Sequence, residues 1–301
     1  MLAASLLACL MSLPAHAGVV RAPVEVGRLP LPPYLSVADP ADGAQIARIL
    51  RAASASPTAV AVLDSVAQAA EIRGRPVVIE AVTMRESGTY NLDWGILSLR
   101  RPSLNGTPRA NIATLIHELQ HLLQTELTLP SDLLETELEA YVVDFRVSRE
   151  LKDKPKRGSY DARAQAKFKE GLEPFLGFLR KQYPEDAQLH KTRSRNYENR
   201  LRADLKMSSA ALERLKSART SRKRVLEQMR GVGHSNGELT AYRQDVIAPL
   251  DAAIRAMSRV IEWAKKDIAI LASPKTRAQA RAYARSVIRR ARAFQKIFSR
   301  G

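Results

Sequence analysis

The sequence predicts an α+β domain over residues 41–150, followed by an all-α region whose centre is a basic helical hairpin. Three observations carry this reading. Aromatic residues are scarce at 5 % and charged residues make up 26 %, a balance that suits long solvated helices better than a β-sandwich. Strand-like, β-branched runs occur only before residue 101, whereas helical 3–4 spacing dominates from residue 163 on. Charge divides the same way. Residues 1–150 carry 12 Lys/Arg against 16 Asp/Glu, and residues 151–301 carry 36 against 15, within a net charge of +17. Such asymmetry points to two parts with different tasks, the second drawn to anionic surfaces.

The elements follow in order. Residues 2–17, "LAASLLACLMSLPAHA", form an apolar run ending in small residues at Ala15 and Ala17, which predicts a signal peptide over 1–17 and export to the periplasm or the medium. The alternative is a lipid anchor on Cys9, the single cysteine of the chain. Cleavage after Ala17 leaves no thiolate, so any metal must be held by His and carboxylates. Residues 18–40 are proline-rich and read as an extended leader. Helices are predicted over 41–54 and 57–73, and strands over 75–83 and 93–100. A helix then starts near Pro108, with apolar residues at Ile112, Leu115, Ile116, Leu119, Leu122 and Leu123. The next helix runs to about Leu151, with Ser131 or Asp132 as its cap and Asp132 and Glu135 at capping-box spacing.

Residues 151–162 read as a linker, and 163–301 as the basic helical domain: one helix over 163–182, two long helices over 186–230 and 236–272, and a closing basic helix. The second long helix carries Ile247, Leu250, Ile254, Met257, Ile261, Ala264, Ile268 and Leu271 at alternating 3–4 spacing, a coiled-coil seam. The first carries a rougher stripe from Leu201 to Met229. The short turn between them implies an antiparallel hairpin, opened by a Ser235–Glu238 capping box. Pro249 has to sit in a first turn or kink its helix.

The chemistry centres on "TLIHELQHLLQ", residues 114–124. Residues four apart share a helix face, so His117 and His121 can hold one cation through imidazole nitrogens. Glu118 follows the first histidine, where it can take a proton from water polarised by that cation and pass it to a leaving amine. His190 and His234 lie in basic or turn segments and read as solvated. Tyr141, Arg146 and His190 are candidates for a group that stabilises a developing oxyanion, with no spacing to choose among them.

With "ETELEAYVVDFR" after it, this stretch resembles the zincin metallopeptidases, in particular the minimal gluzincins. The resemblance covers residues 41–150. It implies a zincin-like fold, a catalytic zinc, and a third ligand from a Glu on the following helix, often followed by Ala, as in Glu139-Ala140 here. Glu135, four residues earlier on nearly the same face, is the rival, and Glu137 reads as pointing elsewhere. Glu135 or Asp144 then becomes a group that orients a histidine. The metzincin pattern is absent, because Gln124 and Leu127 stand where its Gly and third His belong. The resemblance further implies that the strand before the active helix, with Trp94, Gly95, Ile96 and Leu97, pairs with an extended peptide substrate.

The functional expectation is an exported zinc metallopeptidase that hydrolyses peptide bonds with Glu118 as general base. The second expectation is a non-catalytic exported scaffold whose basic helices contact anionic membrane or an envelope polyanion. Nucleic acid fits poorly, because no stacking aromatics interleave the basic residues.

Overall fold

The structure is a computed structural model that describes residues 31–82, 88–91, 96–100, 108–125, 133–184 and 194–300, together with residues 127, 129, 130, 188 and 189. The expected signal peptide at 1–17, Cys9 and the leader up to residue 30 lie outside the described residues, as do Trp94, Gly95, Ser131, Asp132 and His190. No helix among the described residues is long and apolar enough to cross a membrane. Two compact units are found, formed by the described parts of Met1–Thr128, Asp132–His190 and Ala282–Gly301 on one hand, and of Leu129–Ser131 and Lys191–Arg281 on the other.

The first unit is α-rich round a small sheet. Its strands are β1 (Leu35–Val37), β2 (Val77–Val82), β3 (Gly88–Asn91) and β4 (Ile96–Arg100), in the order β1-β2-β4-β3. β1, β2 and β4 are parallel, and β3 runs antiparallel to β4. Helices α1 (Gly43–Ala53) and α2 (Pro57–Arg73) lie between β1 and β2 in sequence. Ser56 caps α2 by accepting the Ala59 N–H at 3.0 Å, Pro57 fills the first turn, and Gly74 ends it at φ 65°, a left-handed conformation that only glycine adopts freely. Helix α3 (Pro108–Thr125) packs on α1 and α2, and α4 (Leu134–Glu150) packs on α3. Ile112, Leu115, Ile116, Leu119 and Leu122 of α3 are fully buried, with Val77 and Ile79 of β2 and Leu97 of β4 in the same core. The apolar register read from the sequence is therefore the register that packs.

Two strands were not expected. Residues 35–37 belong to the predicted leader, but they pair in parallel with 77–79, so the domain begins before residue 41. β3 is the other, a four-residue strand too short to show alternation.

The helix expected over 163–182 is two helices, α5 (Tyr160–Glu170) and α6 (Leu172–Gln182). Gly171 divides them at φ 147°, in a region L side chains rarely adopt, and Pro174 has no N–H to continue a helix across the break. Both belong to the first unit, as does the part of helix α10 (Pro274–Phe298) from Ala282 on. Phe145 of α4, Phe168 of α5, Phe175 of α6 and Phe298 of α10 form one cluster, with ring centroids 5.2–5.6 Å apart. The expected partition, with residues 163–301 as a separate helical domain, is thus corrected: aromatic packing returns both 160–182 and the chain's end to the first unit.

The second unit is the predicted hairpin. Helix α7 (Ser194–Gly231) packs against α9 (Ala248–Ala272). Seam residues Leu226, Ile247, Ile261, Ile268 and Leu271 are buried, and Arg219 forms an ion pair with Asp251 across the pair. Ser235 and Glu238 make the expected capping box at the start of α8 (Asn236–Tyr242). Between α8 and α9 the chain widens into a π-helical turn over Arg243–Ile247, just before Pro249. A proline ring clashes with the carbonyl four residues back, here Asp245, and the widened turn relieves that clash without a break.

Ile261 is 5 % exposed and its neighbour Val260 45 %. Ile261→Ala should therefore lower stability by about 2 kcal/mol, and Val260→Ala should change it by less than about 0.5 kcal/mol. Helical circular dichroism followed through thermal or urea unfolding measures both, and equal effects would place the seam elsewhere.

Candidate metal centre

Helix α3 is largely buried: from Asn111 to Thr125 no residue is fully exposed, and Ala113, Thr114, His121 and Thr125 are half-buried. Its apolar side enters the core, so the polar side chains on its other flank must find partners inside the protein. The partner element is α4. His117 and His121 turn towards it, with their Nε2 atoms 3.2 Å apart. Glu137 of α4 reaches both, Oε1 lying 3.4 Å from His121 Nε2 and Oε2 3.8 Å from His117 Nε2. One ligand atom from each of the three residues falls within 4.8 Å of the others.

The donor set fits a small divalent cation. Ligands at about 2.0–2.1 Å from a tetrahedral zinc sit roughly 3.3–3.4 Å from one another, close to the spacings found. Burial and the neighbouring His121 hold the His117 pKa well below the ordinary imidazole value, so His117 is neutral, the form that binds metal. Glu137 Oε2 is buried and, among the described residues, accepts no hydrogen bond. A buried carboxylate oxygen left in that condition is costly, and a cation satisfies it.

Glu118 is 8 % exposed and lies one residue from His117, outside the three-residue group. Tyrosines line the α4 side. The Tyr141 ring meets His117 edge-on at 4.7 Å between centroids, and its hydroxyl donates to Tyr160 at 3.1 Å. The Tyr183 hydroxyl lies against Glu137 and Tyr141. Burial is the largest cause that pushes all three phenols above their ordinary value, so they are hydrogen-bond donors at neutral pH.

The third carboxylate is a correction. Glu137, read from the sequence as pointing away, stands with the histidines, and Glu139 does not. At about 100° per residue, 137 faces nearly opposite to 135 and 139, and α4 presents its 137/141 side to His117. Glu139 is fully engaged elsewhere. Its Oε2 accepts from Tyr283 at 2.6 Å, Gln124 at 3.1 Å and Gln120 at 3.3 Å, and its Oε1 pairs with Arg290. Glu135 is buried at 0 % exposure and is not in the group. The sequence offers three glutamates at alternate positions, and only the crossing of α3 with α4 selects one.

Other expected residues are placed as follows. β4 cannot pair with a substrate through Ile96 or Leu97, because both are already matched on each side, to Val78 and Ile79 of β2 and to Asn91 and Tyr90 of β3. The strand β3, unseen in the sequence, took the outer position expected of β4. Arg146 stacks over Phe294, 4.9 Å from the ring centroid. His234 pairs with Glu238 at 3.4 Å in the hairpin turn. Asp144 does not orient a histidine. It accepts from Ser148 Oγ at 3.3 Å, and burial, with Asp161 and Asp153 nearby, pushes its pKa up to about 7.

Family models, curated proteins and solved structures were compared with the chain, and none matches it.

Two outcomes are expected. Equilibrium dialysis should find one zinc per chain, lost in His121→Ala and in Glu137→Ala, while Glu139→Ala still saturates at one. Loss of stoichiometry in Glu139→Ala together with retention in Glu137→Ala would reverse the ligand assignment. For Asp144, a folded pKa raised to about 7 means that the folded state holds a proton the unfolded chain releases near pH 4. Its contribution to stability is thus complete below pH 4 and declines as pH rises to 7. Melting temperatures should fall less over pH 4–7 in Asp144→Asn than in the wild type, and parallel curves would refute the assignment.

Proposed function

We propose that the protein is an exported zinc metallopeptidase of zincin type that hydrolyses peptide bonds. One observation carries the reading: His117 and His121 of α3 and Glu137 of α4 converge within 4.8 Å, and Glu118 is buried beside the first ligand. The resemblance to minimal gluzincins supports it in kind, because the carboxylate again comes from the next helix, here Glu137.

A bound zinc would be held by His117, His121 and Glu137, and supplies Lewis acidity that polarises the scissile carbonyl and makes water more acidic. The chain's own groups do the rest. Glu118 accepts the proton of the attacking water and passes it to the leaving amine. The core packed behind α3 keeps bulk water from one side of the site, which strengthens charge interactions made there. Tyr141 and Tyr183, held protonated, line the site next to two of the ligands, with the Tyr141 O–H donated to Tyr160 and the Tyr183 hydroxyl against Glu137.

A second reading has its own observation. Helix α10 contains no Asp or Glu, and Arg285, Arg289, Arg292 and Lys296 are exposed along one stripe at i, i+4, i+7 and i+11. Such a stripe suits an anionic membrane or an envelope polyanion. In the scaffold reading this contact is the function and the histidine helix is structural. In the peptidase reading it is a means of localisation.

Glu118→Gln separates the two. It should keep stoichiometric zinc and the wild-type melting curve and lose peptide hydrolysis by about 10²–10⁴-fold, read on a broad peptide library. If the wild type and the variant cleave the library at the same rate, the scaffold reading stands.

A further inference from the structure

We propose that Gln124, Glu139, Tyr283 and Arg290 form a relay that fixes the orientation and basicity of His121, so that the C-terminal helix is a working part of the metal centre. The inference rests on the metal reading above and deepens it by naming positioning residues that do not touch the metal.

The relay can be followed atom by atom. Gln124 Nε2 donates to the Thr136 carbonyl at 3.0 Å and to Glu139 Oε2 at 3.1 Å. Both partners accept only, so this end of the amide is its NH2, and the opposite end is its oxygen. That oxygen lies 2.9 Å from His121 Nδ1. An amide oxygen cannot donate, so Nδ1 carries the imidazole proton and Nε2 keeps its lone pair. His121 Nε2 is the atom that faces His117 Nε2 at 3.2 Å and Glu137 Oε1 at 3.4 Å. The tautomer that ligation requires is thus set by Gln124.

Glu139 sets Gln124 in turn. An anion on the NH2 end polarises the amide and makes its oxygen a stronger acceptor, which raises electron density on the ring it meets. Carboxylates commonly orient metal-ligating histidines directly; here an amide is interposed. Glu139 is held in place through α10. Arg290 forms an ion pair with Oε1, and the Tyr283 hydroxyl donates to Oε2 at 2.6 Å. Ser286 Oγ, 2.8 Å from Arg290 Nη1, steadies the guanidinium. Tyr283 and Arg290 are seven residues apart, on the face of α10 that also buries Ala284, Val287 and Ala291. Tyr283 and Arg290, both aimed at one carboxylate with Ser286 buried beside them, are more than docking needs, since alanine or leucine would pack there without the partial desolvation of a charge.

The test uses the full chain. In metal-free protein labelled with ¹⁵N-histidine, His121 should show a protonated Nδ1 and a bare Nε2, and Gln124→Leu should lose that fixed tautomer. Zinc affinity, by competition with a chromophoric chelator, should weaken about 10–100-fold in Glu139→Gln and similarly in Gln124→Leu. The double variant should be no weaker than either single one, because both break the same chain. Arg290→Lys should bind more tightly than Arg290→Met, because it keeps the charge. Gln124→Leu leaves the Glu139–Arg290–Tyr283 contacts intact, so a loss of affinity with an unchanged melting curve is not a folding defect. Wild-type His121 with its proton on Nε2, additive losses, or unchanged affinity in Glu139→Gln overturns the relay. Wild-type protein that binds no zinc but shows the fixed Nδ1–H tautomer overturns the metal reading instead and leaves the relay in place.

Discussion

Enclosure of α3 is the constraint on which the rest of the first unit depends. A helix buried along most of its length can be all apolar, or it must satisfy most of the polar groups it carries from within. This one carries Asn111, His117, Glu118, Gln120, His121 and Gln124. Its apolar register fixes which side enters the core with β2, β4, α1 and α2. That choice forces the polar flank against α4 and dictates what α4 must provide: a carboxylate for the histidines, a carbonyl and a second carboxylate for Gln124, and aromatic edges for His117. The group that could hold a metal and the network behind it are two halves of the same accounting of buried polar groups.

The same requirement explains why charged groups from distant sequence meet here. Glu139 would be an uncompensated buried anion with only two amides for partners, and a cation held by an apolar-faced helix resolves this at the cost of desolvating that cation too. The arrangement is stable only because geometry is complete on both sides. Oε1 and Oε2 are each engaged, and Arg290 has a further partner in Ser286. By contrast, Glu137 keeps a buried oxygen without a hydrogen bond. Two glutamates two residues apart thus differ in how fully their oxygens are engaged, because they leave α4 on different sides.

What was legible in the sequence was local. The seam of α9, the Ser235–Glu238 box, the limits of α2 between Ser56 and Gly74, and the buried register of α3 all follow from periodicity or from capping chemistry within a few residues. The pairing of His117 with His121 belongs to this class, since four-residue spacing on a helix suffices. What was hidden was tertiary or too short to carry a pattern. Strands of three and four residues, β1 and β3, show no alternation to read. Gly171 and Pro174 stand in the sequence, but single residues of this kind inside a helical pattern do not by themselves mark a break. The choice among Glu135, Glu137 and Glu139 turned on a helix crossing angle, for which neither helix holds a signal. The docking of α10 depended on Phe294 and Phe298 meeting Phe145 and Phe168 more than a hundred positions away.

A chain is made from its N-terminus, and the first unit is not contiguous. The histidine helix and α4 are complete early, but Arg290 lies 151 positions after Glu139. At roughly 5–20 residues per second of synthesis, that interval is on the order of 8–30 s. Through it, Glu139 is without its cation, Phe145 and Phe168 lack their last aromatic neighbours, and the whole hairpin of the second unit has still to emerge. The nascent chain therefore holds the two histidines and Glu137 before it holds the cation and hydroxyl that engage Glu139. Completion of the network round Glu139 waits on the synthesis of α10, the element farthest in sequence from the helices it serves.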